Sequence, residues 1–513
     1  MTKPPAITPP FAWLGRYWTP VGLALITGTA AFFRFYQLGS LPPGLDETSA
    51  RIGVQALQLD TTHGFPALNT ANGYSALWVW LQAAAIGLFG HTALSLRLWA
   101  AVLGTLAVVA TWLWLRDWFS PRIAWVGALT LAVSPWAVTL SRGGLESALP
   151  PVLIPLTLWL CGRVMRQPSL IAYAALGAAL ALNLLSGPIG WIFTLAIVGI
   201  AVVKSAKDHN LLKITRARLV GSSILALGLA VLAYLTATSF TNLKSAPHAL
   251  GLVKTAGAFA DNIVKVLLMF NVHGDENYRH NLAGEPLLNA FVGLMLIAGL
   301  LVSISRLHRQ RYRILLLLAF VMLSPALLAG AGTPNASWAV GAMPFVFAFV
   351  GLGTSYMLEL WYATFPINSA ARATGQAAII LLLALSLLQG YTQYFRAWAG
   401  STAVYVAYNE GTTQMATHLR TDKFNGERFV VVGADQVPVF EYLDHDLANY
   451  RLLDTTALAG LPIATASREF YIATSTRDAA VKILKAKFPG GVLHPHYSGF
   501  NQIEIYYTYE TTK

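Results

Sequence analysis

The sequence predicts a polytopic α-helical membrane protein with about eleven transmembrane helices, interfacial helices in the first outer loop, and a small C-terminal α/β extracytoplasmic domain. Three observations predict it. Only 11% of the 513 residues are charged and 55% are hydrophobic, with a mean hydropathy of +0.54; a soluble domain carries about a quarter charged residues. Apolar stretches near the ~20 residues needed to cross a bilayer recur, from residue 17 to residue 394. Near residue 400 a soluble composition takes over, dividing the chain into residues 1–399 and 400–513.

Charge and cysteine content narrow the class. A formal net charge of +12 fits cytoplasmic loops facing anionic membrane lipid better than nucleic acid, so no nucleic-acid partner is expected. The single cysteine, Cys161, lies in an apolar segment, so an intrachain disulfide is excluded. The first apolar segment contains Arg34 and no clear small-residue cleavage site, which predicts a retained anchor.

Residues 1–16 are Pro-rich and basic and are placed in the cytoplasm; the first span runs from about Pro20 to Leu38. The stretch LPPGLDETSARIGVQALQL, residues 41–59, follows. Pro42, Pro43 and Gly44 break the span, Asp46 and Glu47 follow, and Ala50, Val54 and Leu57 recur at helical spacing with Arg51 four residues after Glu47. That pattern predicts a loop, a helix start and an amphipathic helix at the membrane surface.

The next apolar run, residues 75–90, is marginal for a crossing, and charge arbitrates. If it lies in the interface and the second span starts near Leu98, the clusters Arg116 with Arg122, Arg163 with Arg166, Lys204 to Arg218, Arg306 to Arg313, and Arg372 all fall in the cytoplasm. If it spans, every one of them flips outward. The positive-inside rule selects the non-spanning placement. The remaining spans are then expected near residues 98–115, 123–141, 150–165, 169–186, 188–203, 219–238, 287–305, 314–331, 337–356 and 375–394, with SGPIG at 186–190 as a tight outer turn. The N-terminus lies inside and the C-terminus outside, in a multi-pass protein of the plasma membrane.

Three polar loops then face outward: residues 39–97, SRGGLESA at 141–148, and residues 239–286. After residue 400 a helical pattern covers Tyr405–Leu419, RFVVVGAD reads as a buried strand and PVFEYL as a short helix. REFYIATS reads as a strand, RDAAVKILKAKF as an amphipathic helix and NQIEIYYTY as a final strand. Strands alternating with helices predict an α/β unit.

Each candidate residue has a bland account beside a functional one. Asp46 can cap the helix, with Glu47 in its first turn paired to Arg51 at i,i+4. The same acidic pair, held where membrane meets water, can also supply a general base that takes a proton from an acceptor hydroxyl. The two accounts are compatible, since one oxygen can cap while the other faces a pocket. Arg142 and Glu146 can be a snorkelling arginine and a helix-start carboxylate. Beside two other polar loops they also suit phosphate recognition, because Arg binds phosphate bidentately, and Arg34 and Arg97 invite that reading more weakly.

The long loop mixes His273, Asp275, Glu276, Tyr278, Arg279, His280, Asn281 and Glu285. A divalent cation could be held through His273, Asp275, Glu276 and His280, but irregular spacing and a mixed ligand set favour no metal and a polar lid that orders around substrate. Asp444-His445-Asp446, His494-Pro495-His496 and the Asn335-Ala336-Ser337 sequon are read as chance matches. GxxxxGK[ST] and GxGxxG are absent from the sequence, and the spans carry few charges, which weakens a transporter reading.

The order of these segments resembles the C-type membrane glycosyltransferase superfamily, in the branch of the protein O-mannosyltransferases and lipid A aminoarabinose transferases. The resemblance covers residues 15–400 in layout and rests on Arg34…Leu41-Pro42…Asp46-Glu47, HTALSLRLWAAVLGTL with Arg97, LAVSPWAVTLSRGGLESAL with Arg142 and Glu146, and HGDENYRHNLAGEPLLNAFVGLMLIAGLL. Where many relatives carry an arginine after the GTPNAS-like turn, this chain has Trp338. The resemblance implies a polyprenyl-phosphate-linked sugar as donor, an inverting transfer to an acceptor glycan, lipid or protein, and no nucleotide sugar. Carried over, Asp46 activates the acceptor hydroxyl, Glu47 positions the acceptor or tunes Asp46, and Glu146 completes an acidic pocket. Arg142 and Arg279 neutralise the departing phosphate. The competing readings are transfer of another group such as phosphoethanolamine, a transporter or flippase, and a non-catalytic membrane scaffold.

Overall fold

The computed structural model describes residues 12–59, 74–207, 221, 225, 228, 251–421, 424, 426–444, 450–462, 467–499 and 503–511. Nearly all of the expected span at 219–238, Lys213, Arg216, Arg218, the segment 60–73, and His445 and Asp446 lie outside the described residues.

Helices occupy every other expected span. They are α1 (Ala12–Phe35), α4 (Ala93–Trp118), α5 (Pro121–Val133) with α6 (Pro135–Leu140), α7 (Pro150–Arg166), α8 (Leu170–Leu185) and α9 (Pro188–Lys207). The later helices are Ala290–Ser305, Gln310–Leu327, Met343–Thr364 and Ser369–Thr392. Among the described residues, five helical stretches are long and apolar enough to cross a membrane, namely Ala93–Trp118, Glu146–Arg166, Gln310–Leu327, Val340–Thr364 and Ser369–Trp398. Shorter apolar helices flank them. The expected continuous span at 123–141 is two helices, because Pro135 has no N–H to extend α5 and instead starts α6.

The bundle has two chemically distinct ends. At one, Arg166 pairs with Asp117 at 2.5 Å and Arg311 donates to the Trp118 carbonyl at 2.9 Å, so arginines from two distant segments meet at the C-terminal end of α4. At the other lie residues 36–46, 141–149, 273–287 and 333–340, tied by bonds such as Trp136 Nε1 to the Ala336 carbonyl at 3.0 Å. Two shorter helices, α2 (Glu47–Leu57) and α3 (Ala76–Phe89), also belong to this loop end. Ser75, before α3, donates its N–H to Glu146 and its hydroxyl to the Leu185 carbonyl, while the Thr92 carbonyl, after it, accepts from the Tyr442 hydroxyl. Both ends of α3 therefore stay at the loop end, and its 14 residues span only ~21 Å against a ~30 Å hydrocarbon core.

The buried face of α2 is wider than the expected stripe: Ala50 is buried and Val54 and Leu57 pack half-buried against the same core, while Ser49, Ile52, Gly53 and Ala56 are buried beside them. Gly53 allows this wider contact, since a Cβ there would lie 2.5 Å from the Tyr442 ring. Tyr442 belongs to the C-terminal segment, whose hydrophobic residues Val430, Phe440, Tyr442, Tyr471 and Tyr506 share one core with Leu45, Ile52, Trp78 and Leu96.

That segment contains a five-stranded sheet in the order β2-β1-β3-β5-β4: β1 Glu427–Val431, β2 Arg451–Leu453, β3 Arg468–Ala473, β4 Val492–Tyr497 and β5 Glu504–Thr511. β1 pairs parallel with β2 and β3, whereas β5 pairs antiparallel with β3 and β4. The expected strands and helices are present, except that the helix expected over Tyr405–Leu419 is two, Thr402–Ala407 and Glu410–Thr421, broken where Asn409 takes a φ of 49°. Two edge strands had not been expected, and His494-Pro495-His496 lies in one of them, β4, where an edge tolerates proline.

Candidate active site

The first loop leaves α1 at Phe35 and reaches α2 through Leu45 and Asp46. Asp46 is buried and caps α2: Oδ1 accepts from the Thr48 and Ser49 N–H groups at 2.9 and 3.1 Å. Oδ2 faces the other way, against the Ser49 hydroxyl, which also reaches the Gly143 carbonyl at 2.9 Å. One oxygen thus spends itself on the helix start while the other is linked to the 141–149 turn through the Ser49 hydroxyl. Glu47 is partly exposed and pairs with Arg51 at 2.7 Å, so the adjacent carboxylates do different work.

Glu146 comes from that turn and accepts the Ser75 N–H at 2.7 Å. Tyr74, the neighbour of Ser75, is buried. Burial pushes its phenol up to about 12; Arg51 opposes the shift, and the Glu146, Asp46 and Glu47 charges add to it. The charges of all four side chains therefore reach this one phenol. Tyr408 feels Asp46 from the C-terminal side. It is buried, its hydroxyl donates to the Arg279 carbonyl at 3.2 Å, and burial and then the Asp46 charge hold it well above the usual phenol range. Arg97 and Arg279 pull in the other direction.

The arginines divide into two sets. Arg34, Arg97 and Arg142 are buried, and their hydrogen bonds go mostly to main-chain carbonyls. Arg142 donates to Phe33 O at 2.9 Å, Tyr36 O at 2.8 Å, Leu41 O at 3.0 Å and Tyr394 Oη at 2.9 Å. Arg97 donates to Leu38 O at 3.1 Å and also to Gly44 O. Arg34 binds Ala132 O at 2.9 Å. Arg97 and Arg142 hold the first loop in shape, while Arg34 ties α1 to α5. Arg279 is only partly buried; its Nε donates to Ala407 O at 3.0 Å, and among the described residues its terminal amino groups make no hydrogen bond.

Within the long loop, buried Asp275 accepts from Asn277 N at 2.8 Å and Ala336 N at 2.7 Å and pairs with His280 at 2.9 Å. It ties the loop to the 333–340 turn. His273 and Glu276 form a separate exposed pair at 3.3 Å. Asn281 donates to Glu285 O at 2.5 Å, and the Tyr278 carbonyl accepts from Trp398 at 2.8 Å. Among the described residues no three His, Cys, Asp or Glu side chains converge as metal ligands. Trp338 caps onto Asn335 through its N–H at 3.2 Å.

Tyr74 and Tyr408 escaped the sequence reading. Tyr74 directly precedes Ser75, the N-cap of α3, which was a usable signal. Tyr408 lies beyond the spans, in a stretch with no motif.

With this geometry in hand, comparisons place the fold. Residues 75–234 match the family model described as dolichyl-phosphate-mannose-protein mannosyltransferase. ArnT from Cupriavidus metallidurans in the apo state is similar over 97% of this chain and 98% of that one, at 14% identity and a TM-score of 0.54. The same enzyme bound to undecaprenyl phosphate covers 98% of both chains at 14% identity and a TM-score of 0.53. The Archaeoglobus fulgidus oligosaccharyltransferase in the apo form is similar over 94% of this chain and 70% of that one, at 14% identity and a TM-score of 0.52. No curated protein sequence matches the chain. The resemblance to the C-type membrane glycosyltransferases of the protein O-mannosyltransferase and ArnT branch is thereby borne out in fold and in a family match.

Proposed function

We propose that the chain is an integral-membrane glycosyltransferase that moves a sugar, with inversion, from a polyprenyl-phosphate donor to an acceptor hydroxyl on the extracytoplasmic side. The observation that carries this reading is Asp46: buried, anchored through Oδ1 at the α2 N-terminus, with Oδ2 turned toward the 141–149 turn where Glu146 and Tyr74 gather. In the proposed step Asp46 takes the acceptor proton, the acceptor oxygen bonds to the anomeric carbon from the face opposite the phosphate, and the carbon–oxygen bond to phosphate breaks. The lipid phosphate leaves with the bonding pair. Fixed cations favour that departure. Arg279 is assigned the direct phosphate contact, since its terminal amino groups are uncommitted among the described residues. Arg34, Arg97 and Arg142 supply positive field from beneath the loop.

Glu146 and Glu47 are assigned to the acceptor side, and residues 273–281 to a polar lid over the donor. The ArnT structure with undecaprenyl phosphate supports a fold of this kind accommodating a polyprenyl phosphate. Residues 1–399 are assigned to catalysis in the membrane and residues 400–513 to an extracytoplasmic unit. The arginine-rich end faces the cytoplasm, as the positive-inside rule requires.

Asp46→Asn tests the assignment. Asn caps a helix about as well as Asp, so the fold is kept while the base is lost. Membranes supplied with a polyprenyl-phosphate sugar should lose at least ~10²-fold in transfer rate, with expression and unfolding temperature unchanged. Undiminished transfer removes Asp46 as the base.

A further inference from the structure

The residue just before the proposed base is held by a part of the chain outside the membrane helices. The Leu45 N–H donates to Thr413 Oγ1 at 3.2 Å, and the Leu45 carbonyl accepts from Asn409 Nδ2 at 3.2 Å. Thr413 completes the ring: its hydroxyl donates to the Asn409 carbonyl at 3.0 Å, leaving a lone pair for Leu45. Both polar main-chain groups of Leu45 are thus satisfied by one short segment. Asn409 adopts a left-handed backbone with φ of 49°, which Asn tolerates better than most residues and which turns its amide toward the loop.

The approach is close. A Cβ on Gly44 would sit 2.3 Å from the Tyr408 carbonyl and 2.9 Å from Glu410 N, so the main chains lie against each other. On the opposite side Arg97 holds the Gly44 carbonyl. The peptide leading into Asp46 is gripped from below by an arginine of α4 and from above by residues 409 and 413.

We infer that Asn409 and Thr413 are positioning residues for the reaction: they set the direction in which Asp46 Oδ2 points by fixing the Leu45 peptide. The inference rests on Asp46 being the base. It gives the C-terminal segment a part in the chemistry beyond covering the bundle. A misplacement of about 1 Å in such a group costs about 10²-fold in rate, so two hydrogen bonds at this point carry leverage that their modest contribution to stability does not.

The test uses full-length protein in lipid nanodiscs with a polyprenyl-phosphate sugar, reading release of polyprenyl phosphate as kcat and KM. Asn409→Gly keeps the left-handed backbone and deletes the amide; Thr413→Val keeps the shape and deletes the acceptor; Thr413→Ser restores the hydroxyl. Hydrogen exchange of the 41–49 amides is read in the same samples. The first two variants should lose about tenfold in kcat with KM for donor within about twofold, and exchange should quicken over 41–49. Thr413→Ser should behave as the parent. Unchanged kcat, a loss carried by KM, or unchanged exchange each overturns the inference. If Thr413→Val does not fold, Asn409→Gly and Thr413→Ser decide it. Asp46→Asn in the same assay separates the two failures: if it stays active, the base assignment falls and the positioning claim with it. If it is inactive while Asn409→Gly and Thr413→Val keep full kcat, only the positioning claim falls.

Discussion

Arg142 shows what burial does to an arginine that sequence alone would aim at a phosphate. Its guanidinium is closed off from solvent, stacks near Tyr394 and Phe395, and gives hydrogen bonds to one α1 carbonyl, two loop carbonyls and one phenol. Removing it leaves Phe33, Tyr36 and Leu41 carbonyls unsatisfied, each costing about 1–3 kcal/mol if no water replaces the donor. Arg142→Met should therefore lower the unfolding temperature in detergent by several degrees. Arg279→Met should leave that temperature nearly unchanged and raise KM for the donor by about tenfold, the ~1.4 kcal/mol lost with one charge-assisted contact. The reverse pattern would exchange their roles. Nothing in the residue order distinguishes these two arginines; the difference arises from which carbonyls the fold brings to each. Glu410 gives a pH-dependent case. Its carboxyl is raised above the usual range because burial outweighs the bonds from Ser498 (2.9 Å) and Gln414 (3.0 Å). A raised acid binds its proton more tightly folded than unfolded, so its contribution is most favourable below the unfolded pKa of ~4.3 and is lost as pH rises through the folded value. Glu410→Gln should then raise the unfolding temperature at pH 8 relative to the parent, with the difference vanishing toward pH 4. An equal gain at both pH values would mean that charge is not the cause.

Helix packing depends on small residues that hydropathy cannot register. A Cβ on Gly299 would come 1.9 Å from the Phe349 carbonyl, and one on Gly353 would come 2.1 Å from the Met295 carbonyl. The helices Ala290–Ser305 and Met343–Thr364 touch main chain to main chain there, the close approach that small residues permit between membrane helices. Gly299→Val forces them apart, and overpacking of this kind costs about 1–3 kcal/mol or more. A thermal unfolding curve in detergent should show a clear loss for Gly299→Val and almost none for Gly199→Val, since a Cβ on Gly199 meets nothing within 4 Å. Equal losses would discount the contact. Apolar run length and charge clusters made the spans legible, because both are properties of single segments. The extension of the buried face of α2 to Ile52, Gly53 and Ala56 was not legible, because Tyr442, far along the chain, sets it by seating its ring on Gly53. β4 was hidden for a related reason: Pro495 argues against a strand unless the strand is an edge, and being an edge is a property of the sheet.

At the scale of the molecule, the two ends of the bundle carry opposite chemistry. Arg116, Arg122, Arg163, Arg309 and Arg313 are exposed at or near one end, and the carboxylates of the proposed site, with the C-terminal sheet above them, occupy the other. The proposed site was legible in part: Asp46, Glu47 and Glu146 stand out in their segments, and their charges all act on the Tyr74 phenol. Tyr408, Asn409 and Thr413 had no such signal, since only the folded C-terminal segment brings them to the first loop. This polarity makes orientation the assumption on which an extracytoplasmic reaction stands, and it can be measured directly. Glu276 is largely exposed in the long loop at the acidic end, while Ile367 is 94% exposed in the turn between two helices at the arginine-rich end. In a Cys161→Ser background, which removes the chain's only native thiol, Glu276→Cys should react with a membrane-impermeant maleimide in intact cells. Ile367→Cys should react only after the membrane is opened. Placing the probe at Gly274 would confuse the result, because a side chain there would collide with the Glu285 carbonyl and distort the loop being assayed. Labelling of Ile367→Cys in intact cells, with Glu276→Cys protected, would place the carboxylates in the cytoplasm. Donor and acceptor would then have to be sought on that side, and the positive-inside argument would fail for this chain.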